Sequence, residues 1–417
     1  MSTFQDITVV APLHPICFCR PMLNAAILAT VTLAGAILIW PRVANSIVWR
    51  ATITPLASII GSGFLVLGPI LDVSYGGYAP LVMVGLCMVA YLFGSAIRFN
   101  IADIETRPAA SRLTDGLETM ASIVLAFAFI VSVAYYLNLF GAFGVSLTEL
   151  DDQFHAKLLT TAVFTLILFT GLTRGFSALE RMEQVSVCLK LMIIAGLLLG
   201  LMVHFGEATG RGALQFDAPR VTGWASLTLM AGLIVTVQGF ETSRYLGSTY
   251  DARMRIQSMQ LAQWISTVIY CIYIVLLTYA FESDPLSLDE TAIIDLMQIV
   301  APILPLLLVV AALSAQFSAA IADTSGSGGL ITEVSKGAIK ERMAYALLVG
   351  IGVLLTWTAN IFEIISYASR AFALYYAIQA GIAAIRAWRG NHLAKATLFG
   401  GVALLGVAIA VFGTPVE

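Results

Sequence analysis

The sequence predicts an all-α membrane protein that crosses the bilayer about twelve times. Three observations predict it. Of 417 residues, 59% are hydrophobic and only 11% charged, against roughly 25% charged in soluble domains; so few charges cannot cover the surface of a soluble fold this long. Twelve apolar segments reach or approach the roughly 20 residues that a helix needs to cross a hydrocarbon core of about 30 Å. The basic residues are also one-sided. With the loop between the first two segments in the cytoplasm, sixteen of the 22 Lys and Arg fall on that side, Arg20, Lys157, Arg211 and Arg220 fall outside, and Lys190 and Arg370 lie within spans. This is the positive-inside pattern of an inner-membrane, multi-pass chain. One missed span would invert every later loop, so the bias supports the count as well as the orientation. Acidic residues such as Asp151, Asp152, Asp284 and Asp289 gather on the opposite face.

In order, with the first segment numbered zero, span 0 covers 23–41 and also fits a helix lying along the interface. Span 1 covers 51–71, span 2 77–99, span 3 116–140, span 4 157–174, span 5 182–205 and span 6 224–247. Span 7 covers 259–281, span 8 293–324, span 9 343–359, span 10 361–387 and span 11 395–412. Span 8 is too long for one straight crossing. It is expected to break at Pro302 and Pro305 or at the Gly-Ser run after Asp323.

The remaining composition narrows the function. A net charge of −3 argues against a nucleic-acid partner. Cys17-Phe18-Cys19 is the one pair with spacing suited to a metal or disulfide and reads as incidental; Cys87, Cys188 and Cys271 sit in apolar runs as packing residues. No metal and no cofactor is expected. No cleavable leader is expected either, because Asp6 and a single basic residue, Arg20, precede the first apolar run. Paired catalytic carboxylates, a histidine cluster and a nucleophile with a base are all lacking, which argues against an enzyme.

Polar residues interrupt the spans in specific places. Span 1 carries Ile60-Gly61-Ser62-Gly63-Phe64 near its middle. Two glycines weaken a helix there, and unwound backbone is tolerated in a membrane only where it lines a cavity or binds something; close packing through small residues is the competing reading. Span 6 carries Val235, Thr236, Gln238, Gly239, Phe240 and Glu241. An intramembrane carboxylate suggests function, with an ion pair to Arg244, three residues on, as the structural alternative. Spans 1 and 6 are five apart and enter the bilayer from opposite sides. Interrupted helices at matching positions in two halves indicate an inverted-repeat carrier. Span 5 holds Lys190 eight residues in, roughly 12 Å deep, either as a fixed cation facing the bundle or as a snorkelling lysine. Span 8 ends in Asp323-Thr324-Ser325, oxygen ligands suited to a hard cation or simply a helix end with local backbone bonds. Tyr135 and Tyr136 in span 3, and Tyr375 and Tyr376 in span 10, are packing residues with room for one, Tyr135, to face a substrate.

These motifs resemble the amino acid–polyamine–organocation (APC) superfamily, which has the LeuT-type fold. Ala57 to Phe64 resembles its first-helix signature, Gln238 to Ser243 followed by Tyr250-Asp251-Ala252-Arg253 resembles its sixth-helix signature, and Lys190 matches a lysine of many amino acid permeases. Ser248-Thr249, Val235-Thr236 and Asp251-Ala252 depart from the family pattern, as does span 0. The resemblance implies a 5+5 inverted repeat: an N-terminal segment with span 0 (1–50), a first repeat (51–205), an inverted second repeat (224–387) and a C-terminal span (395–417). It implies that N–H groups around Ser62, Gly63 and Phe64 hold a substrate carboxylate, that Thr236, Gln238 and Gly239 receive an ammonium, and that Lys190 stands in for sodium beside Thr324 and Ser325. Glu241 or Lys190 is the expected proton-coupling group. The expected partners are a small solute, a proton and the lipid bilayer. A carrier of amines, organic acids or inorganic ions, and a sensor or accessory subunit keeping the fold, are the alternatives.

Overall fold

The computed structural model describes residues 20–61, 63–106, 112–173, 177–248, 250–282 and 291–414, and all their regular structure is helical. In chain order the helices are α1 (Arg20–Ile39), α2 (Pro41–Ala44), α3 (Ile47–Ile59), α4 (Gly63–Tyr75), α5 (Ala79–Thr106), α6 (Arg112–Val145), α7 (Gln153–Thr173), α8 (Ser177–Gly210), α9 (Gly223–Gly232), α10 (Ala252–Thr278), α11 (Ala292–Val300), α12 (Leu304–Val334), α13 (Glu341–Thr358), α14 (Ile361–Arg389) and α15 (Leu393–Phe412). Among the described residues, eight helical stretches are long and apolar enough to cross a membrane, and the chain is a multi-pass membrane protein. Cys17 and Cys19 lie outside the described residues.

Each of the twelve expected spans coincides with one helix or with an interrupted run of helical segments. Span 1 is divided into α3 and α4, span 6 into α9 and two 3-10 segments (Ile234–Val237 and Phe240–Ser248), and span 8 into α11 and α12. The span 8 break falls at the prolines. Ala301, just before Pro302, is extended (φ −158°, ψ 135°), as a residue ahead of proline prefers. The Gly-Ser run after Asp323 stays inside an unbroken α12; at Gly326 the ring of Phe129 of α6 fills the space, 2.8 Å from where a Cβ would stand.

Antiparallel α6 and α12 form the axis of the bundle. Leu313 meets Gly144, Phe317 meets Phe140 with ring centroids 6.4 Å apart, and the Ser132 hydroxyl donates to Asp323. On the opposite flank α10 packs on α3 and α5. Helix α1 lies antiparallel along α8: Ile27 is fully buried, and a Cβ on Gly196 would come 2.6 Å from Val31. Span 0 thus packs along span 5. The helix starts are capped where polar loops meet apolar runs. Asp251 accepts the Met254 N–H at 2.7 Å, and Asn360 and Glu363 form a reciprocal capping box. Asp251 is therefore the N-cap of α10.

Candidate functional site

Helix α3 stops where the sequence places its glycines. Ile60 (φ −81°, ψ 56°) closes the last turn with its N–H 3.0 Å from Leu56 O, and α4 restarts at Gly63. Ser62 lies outside the described residues. The last carbonyls of a helix have no partner within it, and two side chains from elsewhere take them. Lys190 Nζ of α8 donates to Ala57 O at 2.6 Å, and the Tyr270 hydroxyl of α10 lies 2.8 Å from Ile59 O. Lys190 is 1% exposed, so its ammonium turns into the bundle instead of snorkelling, and it sits at the negative end of the α3 dipole.

Span 6 breaks more widely. After α9 comes one 3-10 turn, then extended Gln238 and Gly239 at φ +117°, a conformation that suits glycine alone, then the second 3-10 segment. Ser369 of α14 mends the gap: its hydroxyl donates to Gly232 O at 2.6 Å and accepts the Val235 N–H at 3.1 Å. Thr236 Oγ1 donates to Leu233 O at 2.7 Å. Glu241, with no exposed surface, accepts from the Gly239 N–H at 3.0 Å and the Tyr376 hydroxyl at 2.8 Å through Oε2. The ion pair with Arg244, the structural alternative for Glu241, does not form. Arg244 turns the other way, to Glu118 at 2.5 Å and to Gln379.

The two breaks face one another. A Cβ on Gly63 would lie 2.7 Å from Thr236 Cα, and one on Gly239 would lie 2.6 Å from Ile59 N. The Tyr270 hydroxyl shares its proton between Ile59 O and Thr236 O, at 2.8 and 2.9 Å. Span 1 is thus interrupted at its glycines and packed closely against span 6. Tyr136 of α6 accepts from Gln238 Nε2 at 2.7 Å and lies 3.8 Å from a Cβ on Gly61; Ala319 of α12 lies 3.7 Å from the same point. Phe64 packs on Tyr273 and Tyr270 with ring centroids 4.4 and 5.5 Å away. The structure therefore gathers Ile60, Gly61, Gly63, Phe64, Val235, Thr236, Gln238 and Gly239 in one place. Tyr135 is fully buried, its ring centroid 5.4 Å from that of Tyr136.

The expected coupling residues divide. Lys190 touches the span 1 break, Glu241 the span 6 break, and Asp323 is tied to Ser132. Thr324 Oγ1 donates to Ala320 O at 2.6 Å, a local helix bond, and the Ser325 side chain lies outside the described residues.

Several residues of the region were not singled out from sequence. Tyr270 and Ser369 look like ordinary polar residues of apolar helices until their backbone partners are known. Asp72, 4% exposed, falls one residue past expected span 1, whereas α4 runs on to Tyr75. Around the breaks, Ser58 Oγ, Gln238 Oε1 and Glu241 Oε1 are buried without a hydrogen-bond partner. Each such atom costs about 1–3 kcal/mol.

A second polar cluster closes the end of the bundle that carries the Arg-rich loops. Glu118 of α6 pairs with Arg244 at 2.5 Å and Arg386 at 3.2 Å, Arg386 reaches Asp103 at 3.7 Å, and Asn100 donates to Gln379 at 2.9 Å. The carboxylate of Glu118 thus joins α6, α14 and the second 3-10 segment of span 6.

A family described as APC superfamily transporter matches residues 41–413. An uncharacterized protein of Aquifex aeolicus (strain VF5) is 40% identical over 378 residues, 88% of this chain and 91% of the relative. With this match running from before the first break to beyond α15, the chain belongs to the APC superfamily of transporters.

Proposed function

We propose that this transporter is a secondary carrier of an amino acid, built as a LeuT-type 5+5 inverted repeat and working by alternating access in the inner membrane. One observation carries the reading: two broken spans from different halves of the chain pack break to break, with unpartnered buried polar atoms beside them. Freed backbone at membrane depth is tolerated where it serves a ligand. The first N–H groups of α4, at Gly63 and Phe64, suit a carboxylate at the positive end of a half-helix. Gln238 Oε1 offers an acceptor for an ammonium group. Lys190 acts as a fixed cation at the carbonyl end of α3, so transport runs without Na⁺, and Glu241, with one oxygen unpartnered, is the proton acceptor. Sixteen of 22 basic residues mark the Glu118 end as cytoplasmic, which makes the Arg244–Glu118–Arg386 cluster an inner closure.

The test is a melting panel of amino acids, amines and organic acids on the purified chain, with and without Na⁺. A ligand that binds the folded state alone stabilises it by roughly 2.7 kcal/mol at a hundredfold excess over Kd. A shift from amino acids that Na⁺ leaves unchanged is expected. A shift confined to Na⁺-containing samples contradicts the lysine role, and a shift from amines or organic acids alone contradicts the cargo.

A further inference from the structure

Gln316 lies in α12 with no exposed surface, and neither its amide nitrogen nor its amide oxygen has a hydrogen-bond partner. A fully buried amide left with both ends unsatisfied is rare, because it forgoes its bonds to water without replacing them. Its position is not random. Residues three and seven apart share one helix face, so Gln316 shares a face with Ala319, which abuts Gly61 at the span 1 break, and with Asp323, which accepts from Ser132. Three residues of α12 amount to about 4.5 Å of rise. Gln316 is therefore set about 4.5 Å along α12 from the level of the broken backbone, on the side toward which α4 runs.

We propose that Gln316 is a specificity-determining residue that reads the side chain of the carried amino acid and selects a short one bearing a hydroxyl or carboxamide. This rests on the amino acid reading of the broken-helix site. A carboxamide donates and accepts at once, so a substrate group that does the same satisfies both of its orphan ends. An apolar isostere leaves both unpaired, and sites built to bond a polar group reject its apolar analogue strongly for that reason. The short distance from the backbone limits the length of the group that fits.

The experiment measures equilibrium affinities of the purified full chain for Thr against Val, and for Asn against Leu, and repeats them on Gln316→Leu and Gln316→Met. In the unmodified chain Thr and Asn are expected to bind at least tenfold tighter than their isosteres, and in both variants the ratio falls to within about twofold. Unliganded melting gives a second readout. Removing an unsatisfied amide should raise the melting temperature of the variants by about 1–3 °C, whereas a structural glutamine would lower it. If the unmodified chain binds amino acids without preferring the polar member of each pair, or if a variant keeps the preference, the role of Gln316 is overturned while the amino acid reading stands. Absence of any amino acid binding by the unmodified chain overturns both. The Thr-to-Val ratio needs no variant, so a substitution that fails to fold does not remove the test.

Discussion

Lys190, Tyr270 and Gly239 each solve a problem that breaking a helix creates. Lys190 and Tyr270 supply donors to Ala57 O and Ile59 O, carbonyls that an intact helix would have paired internally. Lys190→Met should leave Ala57 O buried without that donor, lowering stability by about 1–3 kcal/mol in a melting experiment, and should abolish uptake because the fixed charge is lost. Tyr270→Phe keeps the ring against Phe64 but removes the hydroxyl shared by Ile59 O and Thr236 O. A loss of similar size is expected, with uptake reduced but not abolished. Gly239→Ala combines a positive φ with a Cβ driven to 2.6 Å from the backbone of α3. Strain of this kind costs on the order of 1–3 kcal/mol for the backbone alone, so the variant should melt lower than either of the others relative to the size of the change.

At the scale of elements, the half-helix α9 is held from two directions. Ser369 bonds its last carbonyl from α14, and the chain beyond α15 folds back along it: Thr414 N–H donates to Thr228 O at 3.0 Å, while Arg370 donates to Gly413 O at 2.5 and 2.9 Å. Arg370, a cation within a span, is thereby explained as the clamp on this return. Truncation after Phe412 should strand the Arg370 guanidinium and free α9. Lower melting and faster labelling of a cysteine at Thr228 by a thiol reagent would be the result; unchanged labelling would mean that the return does not restrain the half-helix. At the other end of the same span, Glu118→Gln should weaken a cluster that holds both Arg244 and Arg386. Faster labelling of a cysteine at Thr242 from the side of the Arg-rich loops is the expected outcome.

At the scale of the whole molecule, much of the architecture was legible because membrane helices are written as long apolar runs. The breaks at Gly61 and Gly239 were legible too, since glycine beside polar residues has no cheap place inside a bilayer. Contacts were not. Nothing local says that Arg244 prefers Glu118, 126 residues away, to Glu241 one turn back. Asp72 was lost to a span boundary, and Thr324 spends its hydroxyl on its own helix, a choice that only packing decides. Tyr270 and Ser369 were invisible because what they bond is backbone, and backbone carries no sequence signal.

In the proposed mechanism the facing breaks carry an amino acid without sodium. Uptake of labelled amino acids into proteoliposomes, with Na⁺ fully replaced by choline and with and without an inward proton gradient, tests it most directly. Saturable uptake that survives the replacement, responds to the proton gradient and disappears in Lys190→Met is the predicted result. Uptake that requires Na⁺, or an unmodified chain that moves no amino acid under any gradient, would contradict it.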